Sequence, residues 1–266
     1  MFWINGQAQA QIAVTDRGLQ YGDGCFTTAR VLEGEIVWLP LHMARLRQDT
    51  ARLHIPFAAW DRLQAEMERA AQGAEQGVVK TIVTRGSGGR GYSMLSCGEP
   101  TRIVMQMRYP AQYTEWRKQG ISLGISPVTL GRNPRLAGIK HLNRLEQILI
   151  RQEMEAQGVD DVVVLDTEGC LVECCAANLF WRKGYQVFTP DLSFAGVNGV
   201  ARQQVMTRLA QYPDYQLQRV REPVTTLADA DEVFVCNALM PVLPVNQIDT
   251  WCYRSRALYQ LLSPNG

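Results

Sequence analysis

The sequence contains no apolar run approaching the roughly 20 residues that a bilayer crossing requires, and its opening, MFWINGQAQA, has neither a basic start nor a long apolar stretch. A membrane span and a secretory leader are therefore not expected, and the cytoplasm is the expected location. An excess of one charge is equally lacking, since 27 Lys and Arg stand against 26 Asp and Glu, a formal net charge of +1. No global field attracts nucleic acid or an anionic membrane, so any anion must be met by a local site. Histidine is scarce, and His42, His54 and His141 have no ligand spacing, which argues against a metal site. The seven cysteines form no CxxC pair and no secreted-domain pattern, although Cys174 and Cys175 are adjacent. They read as free, mostly buried thiols with no zinc site.

What is present is a chain of 266 residues, 46% hydrophobic, long enough to bury a full core as one large domain or two small ones. Phe2 to Ile4 reads as a strand before an Asn5-Gly6 turn, followed by a polar segment. Residues 26–38 alternate as two strands around Glu33-Gly34. Helices are expected from Pro40 to His54, where Met43, Leu46 and Leu53 share a face, and over 60–72, marked by Trp60, Leu63, Met67 and Ala71. Strands at 78–84 and 103–108 flank a glycine-rich loop at 85–92. Tyr109 to Gly120, polar and aromatic with Pro110, suits a connection, giving an N-terminal domain over 1–110, an interdomain connection over 111–119 and a C-terminal domain over 120–266. In the second half a strand at 121–125, a helix ending at Gly158, a hairpin of 162–165 with 170–175, a strand from Asn178, a helix over 199–211, a strand at 233–236 and a short closing helix follow. This mixture without regular βαβ alternation indicates an α+β fold.

Four features could carry chemistry. Lys140 lies in Leu136-Ala-Gly-Ile-Lys-His-Leu, apolar on both sides and just ahead of a helix. A desolvated amine there has a lowered pKa, which suits Schiff-base formation and proton abstraction, although a snorkelling surface lysine is the simpler reading of this segment by itself. Glu173 is the only charge in Cys170-Leu-Val-Glu-Cys-Cys-Ala-Ala and needs a cation, either a protein side chain or the protonated ring nitrogen of a cofactor such as pyridoxal phosphate. Asn198 and Gly199 open a helix whose first amides, those of Gly199, Val200 and Ala201, can hold an anion, unless Asn198 is only an N-cap. Arg45, one residue off the apolar face of its helix, is the cation of a phosphate grip or a solvated charge. The loop Arg85-Gly-Ser-Gly-Gly-Arg-Gly-Tyr92 lacks both the GxGxxG spacing and the Walker lysine, so a nucleotide is not expected. Its glycines suit a turn that brings Arg85, Arg90 and Tyr92 near a small acidic substrate.

Lys140, Glu173 in E-x-x-x-x-N-L-F form, and G-V-N-G-V-x-R at 196–202 make a specific ordered set. The set resembles the fold-type IV pyridoxal-phosphate enzymes, the class of branched-chain and D-amino-acid aminotransferases. Within that class YGDGCFTTARV, RGSGGRGYS, GRNPRLAGIKHLNRLEQ, ECCAANLFWRKG and CNALMPV are similar to the aminodeoxychorismate lyase branch, and the likeness covers essentially the whole chain. The resemblance implies a smaller N-terminal α/β domain, a larger C-terminal domain with a barrel-like sheet, and a homodimer with the cofactor between the domains. It implies that Lys140 carries pyridoxal phosphate as a Schiff base, that Glu173 faces the pyridine nitrogen, and that Asn178 supports the ring side of the site. Arg45 with the amides of Val200 and Ala201 would hold the phosphate. The aminotransferases usually have threonine hydroxyls where this chain has Ala201 and Ala238, so backbone amides must do more here, and the lyase branch is favoured. Thr28, Arg30 and Tyr109 would line the pocket for 4-amino-4-deoxychorismate, with Arg85 or Arg90 meeting a carboxylate. The alternatives are an amino-acid aminotransferase of the same fold and, more remotely, a non-catalytic binding protein in which Lys140 and Glu173 form a buried ion pair.

Overall fold

The computed structural model describes residues 1–263. The chain divides into two compact units, one comprising Met1–Pro110 and Lys140–Asn143, the other Ala111–Ile139 and the chain from Arg144 onward.

The first unit contains strands β1 (Phe2–Ile4) and β2 (Gln7–Ala8), helix α1 (Arg17–Tyr21), strands β3 (Gly24–Leu32) and β4 (Glu35–Ile36), helices α2 (Leu39–Arg52) and α3 (Trp60–Ala71), and strands β5 (Gln76–Thr84) and β6 (Thr101–Arg108). Its sheet runs β2-β1-β6-β5-β3-β4, antiparallel throughout. Both expected hairpin turns form with left-handed backbone, Asn5-Gly6 at φ 51° and 83° and Glu33-Gly34 at φ 52° and 81°. Alternation in β3 sends Cys25, Ala29 and Val31 into a core shared with Leu46 of α2, Leu63 and Met67 of α3, Val79, Val83 and Val104. The polar segment after β2 holds α1, capped by Asp16, which accepts from the Gly18 amide at 2.8 Å, and ended by Gly22 at φ 64°. Five residues are too few for a helical period to show in the sequence.

The second unit contains α4 (Gln112–Gln119), β7 (Ile121–Ile125), α5 (Leu145–Gln157), β8 (Asp161–Leu165), β9 (Leu171–Cys174), β10 (Asn178–Lys183), β11 (Gln186–Pro190), α6 (Val200–Leu209), β12 (Gln216–Val220), a 3-10 turn (Val224–Asp229), β13 (Glu232–Cys236), β14 (Leu243–Ile248), β15 (Trp251–Cys252) and α7 (Ala257–Leu262). Its sheet runs β12-β11-β10-β13-β14-β7-β8-β9, with β15 on β14. β7 lies parallel to β14 and β8, and β11 to β12, so the sheet is mixed. The sheet curls until its two ends meet: the Leu171 amide of β9 donates to the Glu222 carbonyl just past β12 at 2.8 Å, and Cys170 bridges Pro223. This contact covers only the start of β9, and β9 and β12 do not pair along their lengths. β8 and β13 are buried along runs such as Val162-Val163-Val164 and Val233-Phe234-Val235, as strands covered on both faces should be. The stretch read as a connection is in part a helix: α4 lays Tyr113 and Trp116 on the sheet's core. β11, β12, β14 and β15, which the sequence reading passed over, complete the sheet.

Candidate active site

In the first unit the chemistry starts from the two faces of β3. Cys25, Thr27, Ala29 and Val31 are buried, while Phe26, Thr28 and Arg30 on the opposite face are half-buried. The Lys140 segment adds to this strand, because the Phe26 amide donates to the Lys140 carbonyl at 2.9 Å and the Leu142 amide to the Gly24 carbonyl at 3.0 Å. A third bond fixes the lysine backbone: its amide donates to Oδ2 of Asp49 on α2 at 3.1 Å. Lys140 is half-buried, and its Nζ stands 4.7 Å from the centroid of the Phe26 ring. The lysine's main chain is thus held on both sides. Lys80, paired with Thr28 across β5, brings a second amine to 4.9 Å from the same ring, and burial lowers its pKa.

The buried face of α2 carries His42, Arg45 and Asp49, at 0%, 7% and 3% exposure, so Arg45 is not a solvated charge. Arg45 donates to Thr27 Oγ1, which lies 2.6 Å from His42 Nδ1. Burial first, and the Arg45 charge second, push the His42 pKa down to about 3, so its ring is neutral at physiological pH. The Thr27 hydroxyl can thus accept from Arg45 and give its own proton to His42 Nδ1.

In the second unit Glu173, 6% exposed, sits in β9 among buried Leu171, Val172 and Cys174. Its Oε2 accepts from the Val197 amide at 2.8 Å, and the Asn178 side-chain amide donates to the Val197 carbonyl at 2.9 Å. One backbone residue is thereby gripped from both sides just before α6. Gly138 ties in as well, donating to the Gly196 carbonyl at 2.9 Å and accepting from the Asn198 amide at 3.1 Å. The helix cap is Gly199, and no side chain caps the first turn, because Asn198 instead accepts from Arg202 at 3.0 Å. Asn198 is therefore not the helix N-cap, the alternative weighed against an anion site there. A Cβ at Gly199 would fall 2.2 Å from Asn178 Oδ1, so the close approach requires glycine. Val200 and Ala201 are buried at the helix start, and Ala238 lies in a turn held by Asn237, whose Oδ1 accepts from the Leu239 and Met240 amides. Asp161, fully buried, accepts from the Cys175 and Ala176 amides in the turn joining Glu173's strand to Asn178's, and burial raises its pKa to about 6.

Three residues assigned to substrate carry other duties or stand in solvent. Arg85 is 4% exposed and held by Asp23 through Nε at 2.7 Å and Nη2 at 3.0 Å, while the His54 and Leu53 carbonyls accept from Nη1 and Nη2 at 2.6 and 2.8 Å. It braces the fold, and a substrate carboxylate would have to displace Asp23. Arg90 is exposed, and Tyr92, 89% exposed, packs its ring 5.7 Å from that of Tyr21. Arg30, by contrast, shares the open face of β3 with Thr28 and lies 5.1 Å over the Tyr109 ring. Phe26, Asp49 and Lys80 were missed; the alternation in β3 and a charge on the buried face of α2 were the available signals.

The model of the family described as amino-transferase class IV matches residues 24–248. The chain belongs to that family. It is 39% identical over 248 residues to the aminodeoxychorismate lyase of Vibrio harveyi, covering 93% of this chain and 91% of that protein. The 4-amino-4-deoxychorismate lyase of Pseudomonas aeruginosa superposes with a TM-score of 0.92 at 35% identity, covering 98% of this chain and 96% of that one. The D-alanine aminotransferase of Bacillus licheniformis is similar at 26% identity over 91% of this chain and 85% of its own length. The whole class IV fold is therefore present, including the family's curled sheet. Among the described residues no cluster of His, Cys, Asp and Glu could hold a metal, and no helix is long and apolar enough to cross a membrane.

Proposed function

We propose that this chain is a pyridoxal-phosphate-dependent lyase that converts 4-amino-4-deoxychorismate to 4-aminobenzoate and pyruvate, a carbon-oxygen cleavage of folate biosynthesis. The observation that carries the reading is Lys140, whose backbone is bonded at its amide and carbonyl and whose amine projects over Phe26. The other residues suit the cofactor. Glu173 is a buried carboxylate for a protonated ring nitrogen, Asn178 supports the ring side, and Arg45 is a buried cation for the phosphate. The first turn of α6, which no side chain caps, leaves the amides of Val200 and Ala201 open to an anion such as a phosphate, and Gly199 allows close approach there. When bound, pyridoxal phosphate supplies an aldehyde carbon for the substrate amine and an electron-accepting ring.

Lys140 Nζ would take the proton from the ring carbon that bears the substrate amine and return it to the enolpyruvyl oxygen as that oxygen's bond to the neighbouring ring carbon breaks, releasing the enol of pyruvate. With the cofactor bound, Glu173 would face its ring nitrogen and favour the protonated ring. Thr28 and Arg30, with Tyr109 beneath the Arg30 guanidinium, line the substrate side. The alanines at 201 and 238 leave phosphate binding to backbone amides and support elimination over transamination. We place the protein in the cytoplasm as a homodimer. In support, all seven cysteines are free, and α5 exposes Leu145, Ile148 and Leu149 on one face at 75%, 62% and 52%.

The test is a side-by-side assay of the purified chain with pyridoxal phosphate. Release of 4-aminobenzoate and pyruvate from 4-amino-4-deoxychorismate is expected. Turnover of D-alanine or a branched-chain amino acid with 2-oxoglutarate, with the lyase substrate untouched, would overturn the reading.

A further inference from the structure

We infer that Asp49 is a positioning residue for the reaction, setting where the Lys140 amine stands by holding the lysine's main chain to α2. The inference rests on the cofactor reading above. Lys140 N–H donates to Asp49 Oδ2 at 3.1 Å across a sequence separation of 91 residues, and Asp49 is 3% exposed on the buried face of its helix. A carboxylate is costly to bury, and a main-chain amide is a specific acceptor's target, so the bond restrains the backbone at the residue that carries the chemistry.

Arg45 stands one turn earlier on the same face of α2, also buried. One rigid helix therefore carries both the cation assigned to the cofactor's phosphate and the clamp on the lysine assigned to its aldehyde carbon. The second anchor of Lys140, the bond from the Phe26 amide to its carbonyl, is to β3. The amine leaves a backbone held from two directions, at the ring of Phe26. Loss of the Asp49 clamp frees one of the two directions and leaves the bond from the Phe26 amide.

Three variants of the full chain separate this role from a merely structural one. Asp49→Leu keeps the branched shape and removes the acceptor, and Asp49→Ala is the alternative should the variant with the larger leucine fail to fold. Asp49→Asn keeps an acceptor oxygen and removes the charge. In the leucine or alanine variant kcat is expected to fall by about 10²-fold, the cost of a misplacement of about 1 Å, with KM for the substrate little changed. The asparagine variant is expected to recover most of that loss. Hydrogen exchange followed by mass spectrometry supplies a readout independent of turnover: the Lys140 amide exchanges faster in the leucine or alanine variant, whereas asparagine restores its protection. Unchanged protection at Lys140, or unchanged kcat in a folded variant lacking the acceptor, would overturn the inference. Equal loss of kcat in the asparagine and leucine variants, with Lys140 protected in both, would also overturn it and point to charge alone. A wild-type chain that takes up no pyridoxal phosphate would instead sink the cofactor reading, while exchange at Lys140 would still report on the clamp.

Discussion

Replacing Arg85 by Met should destabilise the protein and leave substrate affinity nearly intact. The Arg85 side chain is 5% exposed and Asp23, its bidentate partner, 16%. Removing one member of a buried ion pair costs about 3–5 kcal/mol, because the other charge stays buried. Arg17 remains on Asp23 at 2.9 Å, which holds the expected loss near the lower end, about 3 kcal/mol. In urea, with m of about 1–3 kcal/mol/M, that loss lowers the unfolding midpoint by about 1 M or more. The loss should also depend on pH. Burial acts first on Asp23 and raises its pKa, but the bonds and charges of Arg85 and Arg17 outweigh it and leave the pKa below its ordinary value. A depressed carboxylate pKa gives stability that is present above the unfolded value of about 3.9 and disappears as pH falls through the lower folded one. The wild-type advantage over Arg85→Met should accordingly be full at pH 7 and shrink below about pH 4. Urea titrations at both pH values, paired with KM, test this. Unchanged stability with a KM raised more than about tenfold, a difference of about 1.4 kcal/mol in binding, would refute the reasoning and return Arg85 to the substrate.

Glu173→Gln should bind pyridoxal phosphate yet lose turnover by about 10- to 100-fold, since a hydrogen bond to a charged group is worth about 1.5–3 kcal/mol; undiminished kcat would speak against its pairing with the ring nitrogen. Gly199→Ala should weaken cofactor affinity, measured by absorbance titration, because its methyl meets Asn178 at the N-terminal end of α6, the end proposed to hold the phosphate. Asp161, with a folded pKa raised to about 6, favours the folded state below its unfolded pKa and loses that contribution as pH rises through about 6. The stability of wild type relative to Asp161→Asn should thus decline between about pH 4 and 6 in urea titrations. Ile148→Glu on the exposed face of α5 should yield monomers by sedimentation if that face joins two copies.

The residues proposed to bear the chemistry stand out in the sequence because their local surroundings conflict with their type. Glu173 on an apolar strand called for a cation, whereas Lys140 in its apolar stretch read locally as a snorkelling lysine, and only its company with Glu173 and the 196–202 segment singled it out. Turns and long amphipathic helices were legible for the same local reason, Asn5-Gly6 and Glu33-Gly34 through their residue chemistry and α2 and α3 through their period. Arg85 misled because its glycine-rich neighbours are local, whereas Asp23, the residue that claims it, lies 62 positions away. Asp49 could be flagged as a charge on the buried face of α2, but its target could not, because a main-chain amide 91 positions away leaves no side-chain pattern. The α4 helix was read as a connection because its sequence is mostly polar, and only the sheet beneath it shows why Tyr113 and Trp116 are there. Long-range pairing likewise decides β11, β12 and β14, whose short runs carry no distinguishing period.

The central claim is that Lys140 binds the cofactor, and a nearby amine makes the test discriminating, since Lys80 reaches the same Phe26 ring. The chain loaded with pyridoxal phosphate is reduced with borohydride, digested and mapped by peptide mass. One pyridoxyl group on Lys140 is the predicted result, and a label on Lys80, or none on either lysine, would contradict it.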